Sequence, residues 1–124
     1  MNGTNKRKII IATGGTGGHI FPAYSLAKNF IKNNYSVEII TDKRGLKYLN
    51  KHKEIKLISI NSATIFKKNI INLFISIFII FFSYIRSLII LYKAKPMVVF
   101  GMGGHASFPV CVAARTLNIP FIIY

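Results

Sequence analysis

The sequence predicts an α/β fold, a parallel sheet with helices on both faces. Three features lead there. Short runs of β-branched and other apolar residues alternate with helical patterns along the chain. The first run ends in a glycine-rich turn that leads into a helix, and a second turn of the same kind follows a later run. Near-continuous apolar runs are the mark of strands buried on both faces, which are parallel strands joined by right-handed helical crossovers.

Each element has a local cause. "KIIIA" (8–12) is a β-branched run stopped by glycine and reads as a strand. In the helix that follows, Ala23, Leu26, Ala27, Phe30 and Ile31 share one face, Pro22 suits the first turn, and Asn33 and Asn34 supply the stop. "SVEIIT" (36–41) is the second strand. Asp42 is placed to cap a basic helix over 43–51, and "IKLISI" (55–60) is the third strand. A long helix over 69–93, a strand "MVVF" (97–100), a helix over 109–117 and a last strand "PFIIY" (120–124) complete the alternation, with no repeat and no low-complexity linker.

The bulk properties narrow the function. At 124 residues and 14.0 kDa the chain is one domain at most. With 17 Lys and Arg against 3 acidic residues its net charge is +14, which suits an anionic partner: phosphate, nucleic acid or an acidic lipid surface. The wealth of Lys, Ile, Asn, Phe and Tyr is also what an AT-biased coding sequence produces without selection for binding. Cys111 is the single cysteine, so a disulfide framework or paired-cysteine metal site within one chain is excluded, and neither a metal nor a cofactor is expected. Lys6, Arg7 and Lys8 precede an apolar run too short for a secretion signal, so the expected setting is the cytoplasmic side. Nucleic-acid binding is disfavoured, because the aromatic residues cluster in an apolar segment and not among the lysines.

The first turn, "GGTGGH" (14–19), lies where open α/β sheets bind ligands, at the carboxyl end of a strand and the amino end of a helix. Gly14, Gly15, Gly17 and Gly18 permit positive φ and close approach of an anion, and a helix N-terminus favours phosphate. The spacing is not G-x-G-x-x-G, and no Lys-Ser or Lys-Thr pair makes a nucleoside triphosphate loop. "GMGGHASFP" (101–109) repeats the device with glycines, a histidine and a proline. Both turns belong to one sheet edge and so are expected to line one anion-binding cleft; two ordinary tight turns are the plainer alternative.

"GGTGGHIFPAYSLA" together with "KPMVVFGMGGHASFPVCVAARTLNIPFIIY" resembles the amino-terminal domain of MurG-type enzymes. These are inverting glycosyltransferases that move N-acetylglucosamine from UDP-N-acetylglucosamine to undecaprenyl-diphosphate-linked muramyl-pentapeptide in peptidoglycan synthesis. The resemblance implies a Rossmann-like domain, the amino-terminal half of a GT-B fold, that takes the lipid-linked acceptor. It implies that Gly14, Gly15, Thr16, Gly17 and Gly18 are backbone and hydroxyl donors to the diphosphate, that Gly103, Gly104, His105 and Ser107 belong to the second binding loop, and that His19 is the general base. Neutral imidazole, with an ordinary pKa of about 6.5, can accept the acceptor's proton at cytoplasmic pH. A helix-capping or phosphate-donating role is the alternative for His19. His105 stands where the family usually has tyrosine, and Met97 where it usually has an acidic residue.

On the same resemblance, 1–124 is an incomplete acceptor-binding domain without the donor domain. UDP-N-acetylglucosamine would then be used only with a donor domain in trans, and the chain alone is expected to be inactive. Two other classes stay open: a non-catalytic subunit that recruits a two-chain transferase to the membrane, and a stand-alone nucleotide-binding module. The segment 69–92 bears on this choice, since Ile, Leu and Phe occur all around it and 69–85 carries no charge. It is expected to pack on the sheet with its outer face in the cytoplasmic leaflet, aided by Lys67, Lys68, Arg86, Lys93 and Lys95. A single membrane span is the rival.

Overall fold

The computed structural model describes residues 7–61 and 69–124. Five parallel strands form one sheet in the order β3-β2-β1-β4-β5. They are β1 (Lys8–Ala12), β2 (Ser36–Thr41), β3 (Lys56–Ser59), β4 (Val98–Gly101) and β5 (Phe121–Ile123), joined through α1 (Gly17–Lys32), α2 (Lys43–Leu49), α3 (Ile70–Ala94) and α4 (Ser107–Thr116). The predicted Rossmann-like α/β architecture is therefore the one formed.

Alternation along the strands divides the core into two layers. Ile9 and Ile11 of β1 with Val37 and Ile39 of β2 face α1 and α2, where Ile20, Ala23, Ala27 and Leu49 cover them. Ile10, Ala12, Ile40 and Val99 face the other way, against Leu91 of α3 and Val110, Ala113 and Ala114 of α4. Ile9 to Ala12 are all buried, as expected of a strand covered on both sides. Within β2 the buried carboxylate of Glu38 is held by Lys8 Nζ at 3.0 Å and Lys56 Nζ at 3.9 Å, one lysine from each flanking strand.

The first two strands and the α2 cap lie where the sequence puts them. Asp42 Oδ1 accepts from the Gly45 amide at 2.9 Å. The remaining boundaries differ by one or two residues, except at α1, which begins five residues before Pro22, so the proline lies in its second turn. The missing amide would have paired with the carbonyl of Gly18, an exposed glycine with open space around it, and the ring meets no side chain there. Pro109, by contrast, lies in the first turn of α4.

α3 runs for 25 residues, about 38 Å. Asn69 caps it through its side-chain oxygen, and it ends at Lys95 in the left-handed conformation. The stripe it buries is Ser76, Ser83, Ser87 and Leu91, while Phe74, Phe78, Phe82 and Ile89 point outward. The Ser83 hydroxyl donates to the carbonyl of Asn61, and that of Ser87 to the carbonyl of Ser83 at 2.7 Å. It is the one helix, among the described residues, long and apolar enough to cross a membrane. Of the basic residues expected near its ends, Lys67 and Lys68 lie outside the described residues; Arg86, Lys93 and Lys95 are on the helix or at its cap.

Candidate functional site

Because β1 and β4 are neighbours, the turns that follow them meet at the carboxyl edge of the sheet. The Gly14 amide donates to the Gly103 carbonyl at 2.8 Å, and that of Met102 to the Ala12 carbonyl at 2.8 Å. Gly14 and Gly104 lie backbone to backbone: a Cβ on Gly14 would come within 2.6 Å of Gly104 Cα. The Thr13 amide donates to the Ile40 carbonyl at 3.0 Å, tying the first turn to β2 as well.

Positive φ angles occur at Gly103 (97°) and Gly104 (84°), in the second turn, and not at Gly14, Gly15 or Gly18 of the first. The expectation for Gly14, Gly15, Gly17 and Gly18 is thus corrected: α1 already begins at Gly17, so Gly17 and Gly18 are helical. Gly14 and Gly15 are needed for clearance instead. A Cβ on Gly15 would strike the Asp42 carboxylate and lie 2.5 Å from Arg44 Cβ. The Gly14 amide, expected as a donor to a ligand, is engaged by Gly103 and serves to join the turns.

His19, in the first turn of α1, is half-buried and leans over Gly103; a Cβ there would lie 2.8 Å from both Cε1 and Nδ1 of the imidazole. Among the described residues no carboxylate pairs with this ring. Thr16 is exposed and forms no side-chain cap, leaving its hydroxyl open to the cleft, while its carbonyl accepts from the amides of His19 and Ile20, both at 3.0 Å. Ser107 is buried, and its hydroxyl donates to the Gly104 carbonyl at 2.9 Å, closing its own turn. His105 is exposed at the rim. The structure thus brings Gly14, Gly103, Gly104 and His19 into direct apposition, with Gly15 and Thr16 alongside.

Beside the first turn opens a cleft of about 520 Å³, lined by Gly15, Thr16, Arg44, Lys47 and Tyr48. Arg44 is largely exposed and 3.6 Å from the Asp42 carboxylate, which is itself committed to the α2 cap. Sequence reasoning missed these α2 residues. The signal was present: a basic helix opening at Asp42, at the same edge as the glycine turns, must aim some of its cations at the same space. Among the described residues no group of three or more His, Cys, Asp or Glu could hold a metal.

A doubly wound parallel sheet with two glycine turns interlocked at its carboxyl edge defines the class of α/β domains whose ligands bind at that edge. More particularly, residues 9–124 match the glycosyltransferase family 28 N-terminal domain, and the chain belongs to that family. It is 38% identical over 118 residues to the UDP-N-acetylglucosamine--N-acetylmuramyl-(pentapeptide) pyrophosphoryl-undecaprenol N-acetylglucosamine transferase of Rickettsia prowazekii, covering 95% of this chain and 29% of that protein. The enzyme of the same name from Agrobacterium fabrum is 35% identical over 120 residues, 97% of this chain and 32% of the relative. The chain therefore spans about a third of the length of these relatives. Among solved structures, Acinetobacter baumannii MurG superposes with a TM-score of 0.77 at 25% identity, over 94% of this chain and 34% of that one. A glycosyltransferase from Rickettsia africae shares the fold at a TM-score of 0.70 and 21% identity, over 97% of this chain and 30% of its own. The fold is the amino-terminal half of a GT-B glycosyltransferase.

Proposed function

We propose that this chain is the acceptor-side half of an N-acetylglucosaminyltransferase of peptidoglycan synthesis. On this reading it takes an undecaprenyl-diphosphate-linked muramyl-pentapeptide, and UDP-N-acetylglucosamine is held by further polypeptide in cis or in trans. The observation that carries the reading is the interlocked pair of glycine turns with His19 resting on Gly103. The first-turn amides of α1, the Thr16 hydroxyl and the cations Arg44 and Lys47 give a diphosphate both hydrogen-bond donors and positive charge.

The chemistry asked of His19 is a proton transfer. As the acceptor hydroxyl oxygen attacks the anomeric carbon of the sugar, its proton passes to the imidazole and the bond to UDP breaks. A positioned general base supplies roughly 10²- to 10⁴-fold in rate. The test is reconstitution. The 124-residue chain alone transfers nothing, and adding separately expressed polypeptide that supplies the rest of the family fold gives transfer that drops by about 10²- to 10⁴-fold in His19→Ala. Transfer by the chain alone would overturn the reading.

The outward apolar face of α3 favours a second role, recruitment of a partner transferase to the membrane. Reconstituted activity that is indifferent to His19 but lost on removing membranes would select that role.

A further inference from the structure

Arg44 and Lys47 lie three residues apart on one face of α2 and line the cleft together with Gly15 and Thr16 of the first turn. The Arg44 side chain is held at both ends. At its root, Cβ lies so near the first turn that a Cβ on Gly15 would come within 2.5 Å of it. At its head, Nη2 is 3.6 Å from Oδ2 of Asp42. Asp42 is fixed in turn: its side chain is buried, its other oxygen accepts from the Gly45 amide at 2.9 Å, and a side chain on Gly15 would strike it. The first turn, Asp42 and Arg44 thus form one packed junction at the edge of the cleft.

The junction matters because of where Arg44 stands. It lines two openings: the cleft of about 520 Å³ on the Thr16 side, and another of about 290 Å³ bounded by Lys43, Ile60, Asn61 and Ile79. A long, largely exposed side chain has the rotamer freedom to reach into either. An ion pair this exposed adds little to stability, so what it changes is the direction of the guanidinium. Arginine carries five N–H donors in a planar fork, and with Nη2 turned to Asp42 the rest of the fork has a set orientation. Across from it the Thr16 hydroxyl is open to the same space.

We infer that Asp42 is a positioning residue for ligand binding: it holds the Arg44 guanidinium across the cleft from Thr16, so that a diphosphate is gripped at one phosphate by the glycine turn and at the other by Arg44. This rests on the acceptor-side reading above and adds to it the side chain that tells a diphosphate from a single phosphate. It also gives a reason for a carboxylate beside an anion site. By charge alone Asp42 works against an anion there, and what offsets this is the orientation it imposes on the guanidinium. Gly15 fits the same account, since only a residue without Cβ lets Asp42 and the root of Arg44 come up against the turn.

The experiment measures binding of inorganic diphosphate and inorganic phosphate to the 124-residue chain by calorimetry, with urea midpoints showing that each variant folds. The expected result is a preference for diphosphate. Arg44→Ala lowers diphosphate affinity about tenfold or more, as loss of charge-assisted hydrogen bonds requires, and Lys47→Ala, which takes the same charge from the same cleft, lowers it clearly less. Arg44→Lys keeps the charge but not the planar fork, and falls with Arg44→Ala. Asp42→Asn separates position from charge. Asparagine caps a helix as well as aspartate, so α2 is kept, and removing a negative charge beside an anion site strengthens binding if charge is all that counts. Loss of position instead weakens diphosphate binding toward the level of Arg44→Ala and leaves phosphate binding nearly as it was. Unchanged or tighter diphosphate binding by Asp42→Asn, full affinity in Arg44→Lys, or equal losses in Arg44→Ala and Lys47→Ala each overturn the positioning role while leaving the glycine turns as a diphosphate site. Equal affinity of the unaltered chain for diphosphate and phosphate overturns it too. Binding of neither ligand overturns the acceptor-side reading together with it.

Discussion

Two glycines with the same neighbours in sequence answer to different physics. Gly104 has a φ of 84° and lies against the backbone of Gly14, so any side chain there meets both a strained dihedral and a collision. Gly104→Ala should cost on the order of 1–3 kcal/mol or more. Gly18 is helical, exposed and surrounded by open space, so Gly18→Ala should instead stabilise by about 0.5–1 kcal/mol. Urea midpoints of the two variants test this pair, and equal shifts would show that the turns do not interlock as described. The sequence marks both positions as glycine and cannot tell them apart, because the distinction depends on which turn the neighbouring strand brings into contact. Asp42 was legible for the opposite reason: its capping partner, the Gly45 amide, is three residues away, and nothing distant is needed to see it. Cys111 is similar. It lies on the buried face of α4 against Gly101, where a Cβ would be 2.6 Å from its Sγ, and burial raises its thiol pKa. Mildly alkaline iodoacetamide should therefore label it far more slowly in the folded chain than in urea, as mass spectrometry would record.

Among the elements, α3 shows where reading the sequence stops. Its composition is apolar all round, so periodicity cannot say which stripe is inside; the structure chooses the one with Ser76, Ser83 and Ser87, small side chains that let the helix approach the sheet and α4 closely. The outward residues are then left without protein cover. The sheet is incompatible with α3 as a single membrane span while all five strands stay paired. β1, β2 and β3 precede α3, β4 and β5 follow it, and all five pair in one sheet, with Gly14 bonded directly to Gly103. A single crossing would put the two halves of that sheet on opposite sides of the bilayer. Two substitutions separate the inner from the outer face. Ser83→Leu overpacks a buried site and should cost about 1–3 kcal/mol, whereas Phe78→Ser, at 62% exposure, should leave the unfolding midpoint nearly unchanged and weaken vesicle binding. If Phe78→Ser destabilises the fold as much as Ser83→Leu does, the outer face is covered by protein after all.

For the whole molecule the decisive quantity is charge. The chain carries 17 Lys and Arg and only 3 acidic residues, and each of those three is occupied within the fold. Glu38 is held between Lys8 and Lys56, Asp42 caps α2 beside Arg44, and Glu54 accepts from Tyr24 with His52 nearby. Ion pairs within these residues therefore neutralise little of the positive surface, and the net charge of +14 favours an anionic partner. On the proposed membrane-recruiting role an anionic leaflet would be that partner, at up to about 1 kcal/mol per basic residue close to the surface, and α3 would add an apolar contact that salt does not screen. The two contributions respond differently to conditions. Flotation with vesicles should show strong binding to anionic lipid and weaker binding to neutral lipid. Salt near 1 M, where the screening length falls to about 3 Å, should bring the two close together without abolishing either. Carbonate washing should then release the protein, as it does a surface-bound helix; retention after carbonate would mean that α3 leaves the sheet and inserts, and would overturn the surface-bound arrangement.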